Sequence, residues 1–589
     1  MGGVKLFPAL FSPVLLLAVS PVRGAEIAEL PHPRILFPKS AEAGLKRKLE
    51  ADPLAARLQQ AALGEAKAVL KQRACIYQIP DGKRLLRESR RALHNIMHAG
   101  WAWRLGAGEP YRLRVIKELE AACGLKDWNP KHFLDTAEMA TAVAVGYDWL
   151  YDTLTPEQRT MCERALVEKA LKPAAAVYQK GGWWTNPGNN WSQVCGAGIA
   201  IAAVAVADVE PELAKDLYNR GVKLVDDCLA FYRPDGMYPE GPAYWHYGTN
   251  YHVMMLGTAE ALGRPMRDDP VFRKAGDSIM HLTGPTRNSF NFADSHMNME
   301  TPSPAQCWIA SHFRDATQSA FVRGLFDRAL REDKKLRGDR YFPLSILWLP
   351  ADPGDVKLRT AAVFRSEQAV ASFRTSWAPD AAWIAVKGGT PAASHGHMDS
   401  GSFVYEAHGI RWIEDLGSDN YNLPAYFGGK RWDYYRLQNR SHNTLEIDGK
   451  LQNPKAKPCP LMSSDLGGKP SASFDLSPAY LKSAEKVTRT VALDPDSGEA
   501  IVRDEIDAAS GPIVWRAFTR AKIETDGSTA VLRMAGKSIR LRCQDGGGKW
   551  RIGSANPPSA EENQNKGYRS IELEVPAAAK VAISVRITP

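Results

Sequence analysis

Three stretches of the 589-residue chain concentrate side chains that can carry protons, hold a sugar ring or ligate a metal. The first is Trp183-Trp184-Thr185-Asn186-Pro187-Gly188-Asn189-Asn190-Trp191. Pro-Gly followed by two asparagines reads as a turn that leads into a small-residue helix from Cys195. Its amides are neutral donors and its indoles are flat apolar faces, a pairing suited to a sugar-facing loop. A capped helix start is the plainer reading of the same residues. The second stretch runs from Asp235 through Pro239-Glu240-Gly241 to Tyr244, His246 and Tyr247. It gathers phenols and an imidazole near a helix N-terminus, where a structural aromatic cluster is the alternative. The third is Ser394-His395-Gly396-His397-Met398-Asp399-Ser400-Gly401. In extended chain His395 and His397 project to one face. With Asp415 and His442 from other strands, two imidazoles and a carboxylate make a ligand set for zinc or a similar divalent ion. Histidine–aspartate pairs also brace turns, so the dispersed set supports both readings.

The composition sets wider bounds. Hydrophobic residues make up 44% and charged residues 24%, which excludes wholesale disorder. The length implies more than one domain. Seventy-five basic against 66 acidic side chains leave a formal charge of +9. Spread over this length, that excess suits an acidic partner without calling for nucleic acid. Sixteen tryptophans and 19 tyrosines furnish either large cores or stacking platforms for sugars. Eight cysteines without a CxxC pair do not form a disulfide scaffold and read mostly as small buried hydrophobes.

Residues 1–24 place Lys5 before an apolar run, with small residues at Val22 and Gly24. That is the layout of a signal peptide cleaved before Ala25, and it predicts a secreted or periplasmic protein. Pro8, Pro13 and the short run argue against a membrane anchor, and no later stretch reaches the roughly 18 apolar residues needed to span a bilayer. Loss of Lys5 and Arg23 with this segment leaves a charge of +7.

Positioning these groups requires two kinds of scaffold. Residues 25–350 carry apolar residues at three- and four-residue spacing over Ser40–Arg73, Arg84–Leu105, Tyr111–Leu125, Phe133–Leu154, Pro156–Tyr178, Cys195–Val206, Pro211–Tyr232, Tyr244–Leu262 and Asp269–Leu282. Thr155-Pro156-Glu157-Gln158 is a helix start, with a threonine cap, proline at the first position and early acid. Short Pro/Gly connections imply antiparallel helical hairpins, and many of these can close into a ring around a cleft. No fixed period of a repeat array is present. Residues 351–589 change to short alternating or β-branched runs, among them Val370–Phe373, Ala382–Val386, Ser402–Glu406, Thr444–Ile447, Val487–Ala492 and Ala500–Ile506. They predict antiparallel sheets stacked as a sandwich.

Taken together, the motifs resemble the heparinase II/III superfamily of polysaccharide lyases. The likeness starts at Pro31-His32-Pro33-Arg34-Ile35-Leu36-Phe37 and continues through Asn189-Asn190, Pro239-Glu240-Gly241 with Tyr244, and His395-Gly396-His397-Met398-Asp399. Its most specific part runs from Asp415 through Tyr421-Asn422-Leu423-Pro424-Ala425-Tyr426 to Ser441-His442-Asn443-Thr444-Leu445. The resemblance covers nearly the whole mature chain. It implies an N-terminal incomplete (α/α) toroid followed by a C-terminal antiparallel β-sandwich, and β-elimination at a uronic acid. In that carry-over Asn190 contacts the uronate carboxylate, with Asn189 the adjacent candidate. Tyr244 is base, acid or both, His395 the catalytic histidine and Tyr426 a second active-site tyrosine. His397, Asp415 and His442 match a structural site for zinc or manganese. Trp183, Trp184, Glu240 and Arg440 are further candidates for substrate contact. Trp191 stands where several relatives have histidine, which makes Gln193, one helical turn on, an additional candidate donor. Tyr247 is close enough to Tyr244 to be the alternative phenol.

The expected protein is therefore an exported lyase of acidic polysaccharides. Glycosaminoglycans such as hyaluronan, chondroitin sulfate or heparan sulfate come first, and alginate second. Two other classes compete. A glycoside hydrolase needs two carboxylates about 5–9.5 Å apart, for which Glu240 and Asp235 are available. A non-catalytic glycan-binding protein would use the tryptophans as platforms alone. The sequence does not indicate an oligomeric state.

Overall fold

The computed structural model describes residues 26–298, 302–332, 336 and 339–589. The expected signal segment, residues 1–24, lies outside the described residues. From Glu42 to Leu347 the described elements are helices, and from Ala361 onward they are almost entirely strands, as the change of period predicts. Helices Phe133–Leu150 and Asn190–Ala205 are apolar on nearly all sides and buried along almost their whole length, so they form the interior of the helical domain. Thr155 caps its helix as expected: its side chain accepts from the Gln158 backbone N–H, and the Gln158 side chain accepts from the Thr155 N–H.

Two predicted helices are interrupted, both at proline. The span Ser40–Arg73 divides into Glu42–Ala51 and Pro53–Val69, with Asp52 capping the second through the N–H groups of Leu54 and Ala55. The span Pro156–Tyr178 divides into Pro156–Leu166 and Lys172–Lys180, joined by a π-helical turn at Val167–Leu171. Pro173 has no N–H to continue the α ladder, and the wider turn carries the chain past it.

The strands form three antiparallel sheets. A five-stranded meander holds Ala361–Phe364, Val370–Arg374, Trp383–Lys387, Phe403–Ala407 and Ile410–Ile413 in sequence order. An eight-stranded sheet centres on Lys486–Leu493, Ala500–Asp507 and Lys580–Thr588, and a four-stranded sheet contains Ile513–Thr519 and Leu445–Ile447. Several strands missed by the sequence reading are polar at every second position. In Lys537–Asp545, for example, only Ile539 and Leu541 are buried.

The central strands of the meander are buried on both faces. Val370, Trp383, Ala385 and Val404 pack with Tyr232, Trp245, Phe272 and Ile279 of the helical domain. The alternate residues Ala371, Phe373, Ile384, Val386, Phe403 and Tyr405 pack with the other sheets. Because side chains alternate along a strand, one sheet seals both domains together. No helix among the described residues is long and apolar enough to cross a membrane. All eight cysteines are unpaired, and seven are buried.

Behind the meander, Arg489 and Asp504 form a fully buried pair, with Nε–Oδ1 at 2.7 Å and Nη2–Oδ2 at 2.8 Å. Arg489 Nη1 also donates to the carbonyls of Gly401 and Asn443, which ties the large sheet to the segments carrying His397 and His442. Arg489→Met leaves Asp504 charged and unpaired, so it is expected to lower stability by about 3–5 kcal/mol in urea unfolding. A loss below about 1 kcal/mol would show that the pair does not brace the domain.

Candidate active site

The Pro239-Glu240-Gly241 turn opens the helix Pro242–Ala261, which carries Tyr244 on its first turn. The Tyr244 ring stacks on the His395 imidazole, with centroids 4.0 Å apart and planes inclined by 19°. Its hydroxyl lies 2.6 Å from that of Tyr421. His395 comes from the β domain, so this pair spans the domain junction. Around it lies a cavity of about 510 Å³, lined by Arg90, Tyr247, Asp294 and Arg340 from the helical domain and by Tyr421 from the β domain. Tyr247, the alternative phenol, does not reach His395 and instead donates to Glu138 at 2.8 Å.

The group that organises this site is one the sequence reading did not name. Asp294, in the loop between helices Pro270–Leu282 and Pro304–His312, is buried and gathers four partners. His395 Nδ1 lies 2.7 Å from Oδ2 and His397 Nε2 lies 2.8 Å from Oδ1. Tyr426 donates to Oδ1 at 3.1 Å, and Arg431 Nη2 to Oδ2 at 3.2 Å. Burial alone would raise the Asp294 carboxyl, but the bonds from His395 and His397 and the charges of His397 and Arg431 outweigh it and hold the group well below the usual range. An ionised carboxylate only accepts, so His395 donates from Nδ1 and keeps the Nε2 lone pair toward the cleft. Backbone geometry is unusual here as well. Ala293, His395 and Ala425 all have φ between 52° and 60°, each next to or within the cluster. Gly241 and Gly417 let the loop approach closely. A Cβ at Gly241 would lie 2.7 Å from the Phe292 carbonyl, and one at Gly417 would lie 2.5 Å from that of Ser295.

Asn189 and Asn190 have separate duties. The Asn189 side chain accepts from the Trp191 N–H and caps the helix Asn190–Ala205. Asn190 is buried and engages Glu240, with its backbone N–H 2.9 Å from Oε1 and its Nδ2 2.5 Å from Oε2, while its Oδ1 has no partner. Burial raises the Glu240 carboxyl despite the opposing His395 and Asn190. Glu240 Oε2 lies 3.8 Å from His395 Nε2, so asparagine, glutamate, histidine and tyrosine form one chain of contacts. Burial and the charge of Asp294 raise the Tyr244 phenol, and the Tyr421 and Tyr426 phenols move the same way.

Three expected substrate contacts are placed elsewhere. Gln193 is spent in the core: Nε2 donates to the Tyr232 hydroxyl at 2.8 Å, and Oε1 accepts from Tyr238 at 2.7 Å. Trp184 is buried between Phe133 and Tyr178, and only its neighbour Trp183 is exposed, at 58%. Arg440 turns to the Gly449 carbonyl and Glu446. In each case packing sets the face that the side chain takes. Asp235, the second carboxylate of the hydrolase reading, accepts from the Arg365 backbone and does not join the cluster.

The expected metal ligands lie together and are fully buried. His442 Nδ1 is 2.8 Å from Asp415 Oδ2, which also accepts from Ser402, and Asp415 Oδ1 accepts from the Gly417 N–H. The His397 and His442 rings are 5.2 Å apart, and His397 Nδ1 and His442 Nε2 have no hydrogen-bond partner. No three His, Cys, Asp or Glu side chains among the described residues converge as a ready ligand set. The two orphaned imidazole nitrogens nevertheless fit a cation that would draw them and Asp415 inward.

Comparison with known proteins matches the fold. Residues 368–577 match the family model for the C-terminal domain of heparinase II/III-like proteins. No curated protein matches the chain. Among solved structures, a heparinase III aligns at a TM-score of 0.62 and 13% identity, over 90% of this chain and 85% of that one. A heparan sulfate lyase from Pedobacter heparinus aligns at 0.55 and 14%, over 94% and 92%. The chondroitin AC lyase of Streptomyces coelicolor A3, solved with chondroitin sulphate, aligns at 0.53 and 13%, over 93% and 82%. The resemblance read from the motifs therefore holds: residues 368–577 are a heparinase II/III-like C-terminal domain, joined to a helical domain in the toroid-plus-sandwich fold of heparinase III.

Proposed function

We propose that the protein is a polysaccharide lyase that cleaves a uronate-containing acidic polysaccharide by β-elimination. Glycosaminoglycans are the first substrate class and alginate the second. The observation that carries this reading is the stacked Tyr244–His395 pair, held by Asp294 at the junction of two domains whose fold matches that of heparinase III. In the reaction a base removes the C5 proton of the uronate. The C5–H electrons form the C4–C5 double bond, the C4–O bond breaks, and the leaving oxygen takes a proton.

The geometry divides these tasks. With Nδ1 donating to Asp294, His395 offers Nε2 as the base, and the carboxylate fixes its tautomer and steadies the imidazolium that forms. Tyr244 keeps its proton at neutral pH because its pKa is raised, which suits donation to the leaving oxygen. The raised Glu240 carboxyl, bound by Asn190, lies 3.8 Å from His395 Nε2, so a neutral Glu240 would share the developing carboxylate charge. His397, Asp415 and His442 would hold a divalent ion, zinc or manganese, whose role would be to brace the loop that carries His395. Export, as the N-terminal segment predicts, would place the enzyme with extracellular or periplasmic polysaccharides.

Tyr244→Phe is expected to lower kcat by about 10²–10⁴-fold on a uronate polysaccharide panel, followed by the ultraviolet absorbance of the new double bond. Unchanged circular dichroism is expected, and near-normal turnover would overturn the assignment. A panel that yields reducing ends without that absorbance would favour the hydrolase instead. Asp294→Ala is expected to speed hydrogen exchange across residues 419–437, while the strands of the eight-stranded sheet stay protected; equal protection everywhere would remove Asp294 as the organiser. Metal analysis of the purified protein should find about one zinc or manganese ion per chain, and His442→Ala should lose it. A native protein free of both ions would defeat the metal reading.

A further inference from the structure

Along the cleft from Tyr244, two guanidinium groups share a single carboxylate. Arg90, on the helix Leu86–Arg104, places Nε 2.9 Å from Oε1 of Glu138. Arg340 places Nη2 3.1 Å from the same oxygen and Nε 2.9 Å from Oε2. Tyr247 donates to Oε1, and its ring packs against both guanidiniums, at 4.9 Å and 5.6 Å. Glu138 is fully buried on the helix Phe133–Leu150, so the cluster keeps one positive charge in excess.

That excess faces the cleft. Both arginines line the cavity that contains Tyr244 and Tyr421, and their side chains remain 39% and 19% exposed. Arg90 Nη1 and Nη2 and Arg340 Nη1 make no hydrogen bond to any described residue. The buried carboxylate and the Tyr247 ring thus fix two planar forks and leave their outer donors unspent among the described residues, the arrangement that binds an oxyanion bidentately. Tyr247 follows Tyr244 by three residues on one helix, a displacement of about 4.5 Å along its axis. That is comparable with the span of one sugar ring.

We propose that Arg90 and Arg340 form an anion subsite that receives a carboxylate or sulfate group on the sugar unit adjoining the one that loses its proton. This inference rests on the lyase reading and deepens it: the enzyme would require charge on two neighbouring units rather than on the reacting uronate alone.

Binding tests it without turnover. In the Tyr244→Phe protein, Arg90→Gln and Arg340→Gln are each expected to weaken the Kd for oligosaccharides of alginate, whose adjoining unit carries a carboxylate, or of heparan sulfate, whose adjoining unit carries sulfate, by about tenfold, and to reduce its salt dependence. Weakening on alginate alone identifies a carboxylate as the bound group, weakening on heparan sulfate alone identifies sulfate, and weakening on both identifies a site for either anion. Glu138→Gln separates binding from mere structure, because it leaves both guanidiniums charged and adds to the excess. It is expected to hold or tighten Kd, whereas a loss equal to that of the arginine variants would make the cluster structural and overturn the subsite. Kd values within about twofold in both arginine variants would also overturn it. Wild-type protein that forms no unsaturated product, while its binding still depends on the arginines, would end the lyase reading and leave the subsite standing.

Discussion

A single buried carboxylate governs the site. Asp294 leaves the helical domain on a loop, and its four principal partners all come from the β domain. Taking an ionised carboxylate out of water is costly unless each lone pair is met, and here two imidazoles, a phenol and a guanidinium meet them. The cluster therefore has little freedom to rearrange piecemeal. Fixing Asp294 fixes His395 against Tyr244, orients Tyr426, and holds Arg431 beside the Gly396 carbonyl.

The doubly buried meander makes that fixation possible. Its alternating residues join the core of the helical domain on one side and that of the sheets on the other. A junction sealed by that much apolar contact resists hinge motion. The active-site groups contributed by residues 244, 294, 395 and 426 can then stay in register although they come from two domains. Strained backbone at Ala293, His395 and Ala425 is sustained by the same surroundings.

Electrostatics sets a gradient along the cleft. Around Asp294 the protein holds negative charge against two imidazoles and a guanidinium, which suits proton transfer. One helical turn away, Arg90 and Arg340 outnumber Glu138. A polyanionic chain lying between them would meet neutral donors and positive charge in the order that a β-elimination requires: its reacting carboxylate is relieved, and its neighbour is anchored.

Sequence periodicity alone determined much of this protein. The three- and four-residue spacing marked the helices and the two-residue spacing most strands, because each pattern records which face of a local element is buried. The prolines that split two helices were visible, but a wide turn or a fresh cap was not. Asn190, Tyr244, His395 and Tyr426 were legible because they sit in compact motifs of unusual residue types. Asp294 carries no such local mark, and neither do Arg90, Glu138 or Arg340. They become a site only when ring closure and the shared sheet bring residues hundreds of positions apart within hydrogen-bonding distance. The same packing decided against Gln193 and Trp184, whose spacing suited the cleft but whose side chains satisfy the core. Local pattern can specify which side of an element is inward, and only the tertiary structure decides what that side meets.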